Sequence, residues 1–431
     1  MSARESVGLQ EVTSTRGQRF AWCLYDFANS AFPTVIVTAI YVLYFKNTVV
    51  GDDPPGLSDR LWGTANSVAA AIVFLTAPLL GAIADLSGRK RHFLLVYVVL
   101  CIGTTAALSL TGPGTVVLAM VLFIAAAVGF EGSCVFYNAF LPELVPPQRM
   151  GRLSGKGWAL GYIGGLLCMG AVFPLAEGAI ELVPLVVAAW FAVFAIPSLL
   201  ALKDRPRPPR PADSPSFASA GLKRFIGTLR SIREYRNLAR FFVAYFFYNN
   251  AVITIIVFAV AFSSDSLQFT LTENIILIGV MNLIAAPGAF VFGWVADRIG
   301  AKRTIVITLF MWLAVVGGSE LAAWPGLFTV SGAKTCFWGV AGLASLCIGA
   351  IQATSRAFVG QLAPEGRSGE FYGFMAFAGK GSAILGPLVF GLASDAFDSQ
   401  RVAVATIGVF FLIGLILLTR VTDPRRRDST A

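Results

Sequence analysis

Apolar residues in this chain come in long runs, with polar residues confined to the gaps between them. Runs near residues 20–45, 61–84, 92–111, 115–141, 154–176 and 183–202 are followed by a second set near 238–262, 272–296, 303–323, 333–359, 370–395 and 402–420. At about 1.5 Å per helical residue, each can cross an apolar layer of about 30 Å. Inside lipid no water is available to unpaired backbone groups, so each run is expected to satisfy its own backbone as a helix. The pattern predicts an all-α membrane protein with twelve transmembrane helices. The turn between the ninth and tenth runs is the least sharply marked, because Trp324-Pro325-Gly326 and Lys334 blur it.

Composition agrees with this reading. Of 431 residues, 56% are hydrophobic and 13% charged, against about 25% charged in a soluble domain. The net charge of +9 raises nucleic-acid binding, but the cations sit in short clusters between apolar runs, with no basic groove or recognition helix. Of the 33 Lys and Arg, only Lys46, Arg60, Lys334 and Arg401 fall in one alternate set of loops; Lys380 lies inside a run, and the rest fall on the other side. The positive-inside bias then puts both termini in the cytoplasm. The first run follows a polar segment and exceeds a signal h-region, so it is expected to be a retained helix. Short loops and no targeting signal point to a bacterial inner membrane.

Residues 203–237 form the one long polar segment. It opens with a proline-rich stretch and continues as GLKRFIGTLRSIREYRNL, where Leu222, Phe225, Ile226, Leu229 and Ile232 recur at helical spacing beside basic residues. This predicts an amphipathic helix lying on an anionic leaflet. It divides the chain into two six-helix bundles, 1–202 and 238–431.

The two parts repeat each other. GAIADLSGRKR at 81–91 matches GWVADRIGAKR at 293–303, each where a second helix of a half ends. Asn138-Ala139-Phe140 echoes Arg356-Ala357-Phe358 at the end of each fourth helix, and Tyr25–Ala31 echoes Tyr245–Ala251 in each first helix. Parallel six-helix repeats place a solute path along the pseudo-two-fold axis near the bilayer midplane.

The twice-occurring G-x-x-x-D-x-x-G-x-[KR]-[KR] loop resembles the signature of the major facilitator superfamily. WCLYDFANSAF in the first helix, with NAFLPEL and SGKGWALGYIGG around the fourth and fifth, resembles one branch of it, the "unknown major facilitator" family, which is similar to the fungal autophagy-linked vacuolar amino-acid effluxers. The Arg-x-x-x-Gly pattern of proton-coupled members is missing from the fourth helix, where Glu131 lies near that point. The Gly-Pro step of drug antiporters falls in the eleventh helix, at Gly386-Pro387, instead of the fifth. The resemblance implies alternating access, with a zwitterion such as an amino acid as solute and protons as a candidate coupling ion. It also implies that Asp85 and Asp297 each meet the positive end of a helix in the opposite half. Gly81, Gly88, Gly293 and Gly300 would shape the turns, and Arg89, Lys90, Lys302 and Arg303 would complete a charge latch.

Candidate pathway residues are the polar ones inside the runs. Trp22, Asp26, Asn29, Ser30 and Pro33 form one stripe of the first helix, and a carboxylate at that depth is costly unless it faces a partner or a cavity. Asp26 could bind a substrate amine, carry a proton, or bridge helices. Glu131 and Asn138 share a face of the fourth helix, with Lys380 at a depth similar to Glu131; the two charges could pair with each other or be partnered separately. Asn249, Asn250 and Gln352 suit a small polar solute, and Arg356 is placed in a last helical turn where it could snorkel outward. The six cysteines lie in apolar runs without CxxC spacing, and His92 is the sole histidine, so neither a metal site, a cofactor nor Cys/His catalysis is expected. No phosphate-binding loop is present, and no enzyme is predicted. The partners expected are a small solute and the bilayer, with the chain a monomer. Efflux of a drug, lipid or other amphiphile on the same fold, and a non-transporting scaffold or sensor, remain the alternatives.

Overall fold

The computed structural model describes residues 14–51, 54–176, 178–205, 215–397 and 400–424, which hold helices and their connections without a strand. Twelve helices among them are long and apolar enough to span a membrane: α1 (Arg16–Val50), α2 (Leu57–Ser87), α3 (Lys90–Leu110), α4 (Val116–Leu144), α5 (Pro147–Leu175), α6 (Ile180–Ala201), α7 (Arg236–Leu267), α8 (Thr272–Ile299), α9 (Ala301–Ala322), α10 (Val330–Leu362), α11 (Ser368–Phe397) and α12 (Arg401–Thr419). Large apolar side chains such as Leu75, Ile275 and Leu392 remain more than 60% exposed, as a lipid-facing surface requires.

Helix pairing repeats with the sequence. In the first half α1 packs on α5 and α6, α2 on α4, and α3 on α4 and α6. In the second, α7 packs on α11 and α12, α8 on α10, and α9 on α10 and α12. Adding six to each number of the first set yields the second, which is the pseudo-two-fold relation. The apolar core divides accordingly: one cluster centres on Trp22, Phe123 and Phe191, the other on Tyr248, Trp312 and Phe411. The halves meet where α2 packs on α11, α5 on α8 and α10, and α4 on α11.

Three local features depart from the sequence expectations. The first concerns α1, which is regular only to Asn29 and then widens into π-type turns over Phe32–Ala39 and Phe45–Val50. Pro33 has no N–H to give the ladder. Downstream, Ile40 N–H reaches Val35 O five residues back, and the Thr38 hydroxyl donates to Pro33 O and Thr34 O. The second concerns the linker helix, which covers Phe217–Arg230 and leaves Ile232 in the following turn; the proline-rich residues 206–214 lie outside the described residues. Thirdly, α10 runs to Leu362, so Arg356 stands well inside it and is 3% exposed. It does not snorkel.

Candidate functional site

The ends of the helices nearest the linker, here the linker end, are sealed along two seams built from one pattern. Ala77, Gly81 and Asp85 on α2 recur as Ala289, Gly293 and Asp297 on α8, at spacings of four that share a helix face. Opposite them stand Gly369 and Gly373 on α11, and Gly151 and Gly155 on α5. These glycines let backbones touch: a methyl group on Gly373 would lie 2.5 Å from Ala77 O, and one on Gly151 would lie 2.5 Å from Gly293 O. At the end of each seam the aspartate caps a helix of the other half. Asp85 accepts from the N–H groups of Gly369 (3.1 Å) and Glu370 (2.8 Å), and Asp297 from those of Gly151 (2.8 Å) and Arg152 (2.9 Å). A carboxylate there satisfies orphan donors and meets the positive end of the helix dipole. Gly88 and Gly300 carry the chain away from each motif with φ of 65° and 100°.

The two seams differ in their cations. Lys90, 4% exposed, stands 3.2 Å from Asp85, 2.6 Å from Glu143 and 2.7 Å from the Ser368 hydroxyl, which donates onward to Ala139 O. At the second seam Arg152 lies 3.8 Å from Asp297 and is half exposed. Lys302 donates to Val421 O within its own half, while Arg89 and Arg303 are exposed. The latch expected of the four motif cations is therefore built from Lys90 and Arg152, with Lys302 tying down the chain end. Glu370 is fully buried and carries a further network: Arg367 binds it at 2.8 Å, and from the linker helix come Arg224 at 3.1 Å and the Thr228 hydroxyl. Burial lowers the pKa of Arg224, with Glu370 offsetting part of the shift.

Deeper along the axis, Arg356 of α10 reaches into the first half. It donates to Asp26 Oδ2 (2.8 Å), Ser154 Oγ (2.8 Å), Ser154 O (2.7 Å) and, more weakly, Asn138 Oδ1 (3.4 Å). Its guanidinium lies over the rings of Trp22 (4.8 Å) and Trp158 (5.4 Å), where cation–π attraction adds to the ion pair. Trp22 stacks on Tyr137 with centroids 4.5 Å apart, and each donates to the other's backbone carbonyl. Gly157 leaves the room: a Cβ there would lie 2.8 Å from Arg356 Nη2. Asp26 and Arg356 are 7% and 3% exposed, so the pair is shielded from water.

Glu131 of α4 and Lys380 of α11 form a second cross-half ion pair at 2.5 Å, each with over a quarter of its side chain exposed. The question left open by the sequence is answered by direct contact. The remaining candidates spread over both halves. Asn29 donates to Cys134 Sγ (3.6 Å), Asn249 to Ser382 Oγ (2.6 Å) and Asn250 to Phe246 O (3.2 Å). The Asn250 side-chain oxygen Oδ1 is buried without a partner. Ser30 and Gln352 are half-buried, Ser30 against Gly161 of α5. Sequence reasoning missed Ser154, Ser382, Tyr372 (whose hydroxyl donates to Arg356 O) and the four seam glycines on α5 and α11. A signal existed for the glycines, since Gly-x-x-x-Gly opens both α5 and α11.

Comparison with known proteins places this geometry in a family. The family described as vacuole effluxer Atg22 like matches residues 64–431. An uncharacterised MFS-type transporter, YxiO of Bacillus subtilis, is 30% identical over 95% of this chain and 96% of its own. Autophagy-related protein 22 of Yarrowia lipolytica is 27% identical over 63% of this chain, which spans about half (49%) of that relative. Among solved structures, the human organic anion transporter MFSD10 superposes with a TM-score of 0.73 at 17% identity, covering 94% of this chain and 99% of its own. A bacterial homologue of the iron transporter ferroportin, in an outward-facing state, gives 0.70 at 14% identity, covering 94% and 98%. Twelve apolar helices in two six-helix bundles joined by Asp-capped seams, together with these matches, show that the chain belongs to the Atg22-like family of major facilitator superfamily transporters.

Proposed function

We propose that the chain is a secondary transporter that moves an amino acid or similar zwitterion by alternating access, with protons as coupling ion. The observation that carries this reading is the buried Asp26–Arg356 pair, made across the two halves and walled by Trp22, Tyr137 and Trp158. A buried pair cannot be separated without new partners for both charges. When the halves part at the linker end, Arg356 suits a carboxylate and Asp26 an ammonium group or a proton. A zwitterion supplies both.

In this reading Asn29, Ser30, Asn138, Asn249, Asn250 and Gln352 line the path, and Glu131 with Lys380 carries the coupling charge at mid-depth. Residues 1–202 and 238–431 rock as two bodies about residues 203–237. The charge asymmetry of the loops supports cytoplasmic termini and a linker end facing the cytoplasm, and the short loops a bacterial inner membrane. The test is uptake of amino acids into proteoliposomes with and without a pH gradient. The reading expects gradient-dependent flux for at least one amino acid, reduced about ten-fold or more by Glu131→Gln in a protein that folds normally. Flux indifferent to Glu131→Gln and to Asp26→Asn removes both assignments.

A second reading, amphiphile efflux, is favoured by one feature. An apolar cleft lies within the second half, lined by Phe258, Leu277, Met281, Phe337 and Phe390 among others. Dye efflux competing with amino-acid uptake would shift the balance toward it.

A further inference from the structure

The linker helix Phe217–Arg230 presents three faces. On the first, Gly221 abuts Ile83 of α2, Phe225 stacks on Phe374 of α11 at 5.9 Å, and Arg224 and Thr228 bind Glu370. The second carries Leu222, Ile226 and Leu229, spaced i, i+4, i+7 and exposed by 46%, 38% and 47%. The third carries Lys223 and Arg230, both exposed. At about 100° per residue the apolar stripe lies between the docked face and the cationic one. Ile232, Arg233 and Arg236, exposed in the following turn and at the start of α7, extend the same mixture.

A stripe of aliphatic side chains flanked by cations, at the end of a membrane bundle, suits one occupant: the surface of an anionic phospholipid leaflet. The acyl boundary takes the apolar stripe and phosphate headgroups take the cations.

We propose that the linker helix is a lipid-dependent brace on the α2–α11 seam. Its inner face ends on Glu370, whose backbone N–H is one of the two donors that Asp85 holds. Side chain and backbone of one buried residue therefore join the brace to the seam. Anionic lipid that binds the docked helix better than the undocked one stabilises the closed linker end, since a ligand shifts an equilibrium by its differential affinity. The device acts at one seam, because the residue equivalent to Glu370 in the other is Arg152, whose side chain is half exposed.

Amide hydrogen exchange of the full chain, in nanodiscs of phosphatidylcholine alone or of phosphatidylcholine mixed with phosphatidylglycerol, tests the brace without needing a substrate. The expected result is slower exchange with phosphatidylglycerol in two places together, the linker helix and the first turns of α11. Lys223→Gln with Arg230→Gln should abolish that difference, weakening leaflet binding about five-fold per charge removed. Both positions lie on the surface, so the variant folds, and Thr228→Val should loosen both segments in either lipid. Equal exchange in the two nanodiscs overturns the proposal. So does protection of the linker helix without α11, which would leave a surface anchor uncoupled to the seam.

Discussion

The pair that decides the chemistry of the interface is Asp26–Arg356, and its weight comes from burial. A surface ion pair is worth about 0–1 kcal/mol, whereas removing one partner of a buried pair costs about 3–5 kcal/mol because the other charge is stranded. Arg356→Gln is therefore expected to lower thermal stability in detergent more than Lys380→Gln, whose pair retains over a quarter of its side-chain surface. The double variant Asp26→Asn, Arg356→Gln should recover part of the loss. A melt of the double variant below the worse single one by the full sum of the two single losses would show that the two charges do not depend on each other. Asp26 stood out in the sequence as a carboxylate deep within an apolar run. Its partner did not, because a cation in the last turn of its apolar run reads equally as a snorkelling side chain. Only the packing of α10 against α5, which brings Arg356 to Asp26, distinguishes the two.

Helix pairs here are held by what is absent from them. Close approach of α5 to α8 needs hydrogen at Gly151 and Gly155, where any Cβ meets backbone of the partner helix. Such glycines are the membrane counterpart of apolar knobs, since lipid provides no hydrophobic drive between helices. Gly155→Leu is accordingly expected to wedge the linker end apart, seen as faster alkylation of a cysteine placed at Gln361, which donates across the halves to Pro147 O. Unchanged alkylation would mean that the seam does not govern closure. The aspartate caps should also rank. Losing an N-cap costs about 0.5–2 kcal/mol, and Asp85→Ala additionally deprives the buried Lys90 of one of its two carboxylates, whereas Arg152 beside Asp297 is half exposed. Asp85→Ala should thus lower stability more than Asp297→Ala by the same melt, with substrate binding retained in both. The sequence showed the aspartates in register, but not this inequality. Glu143 and Ser368 come from helix ends whose approach to Lys90 has no local signature.

For the molecule as a whole, symmetry and its violations divide the labour. The pairing of helices repeats under a shift of six, and so do the seams. The charges do not: Asp26 matches Phe246, Arg356 matches Asn138, and Glu131 and Lys380 have no charged counterpart. A repeat visible in sequence motifs was enough to foretell the bundles, because register and spacing are local properties. The relation between bundles at one moment of a cycle is not local, and only the structure reports it. The cross-half bonds described above run from the Asp85 and Asp297 caps, through Arg356, to Glu131–Lys380, all from the linker end toward mid-depth. If that end is the shut one, water should reach Glu131 from the opposite side and stop before Asn138, one face and two turns deeper. With the native cysteines replaced, Glu131→Cys should react with an impermeant thiol reagent added opposite the linker, while Asn138→Cys should react with it from neither side until substrate is cycling. Labelling of Asn138→Cys from the linker side in the resting protein would mean that the closed seams are not the resting state.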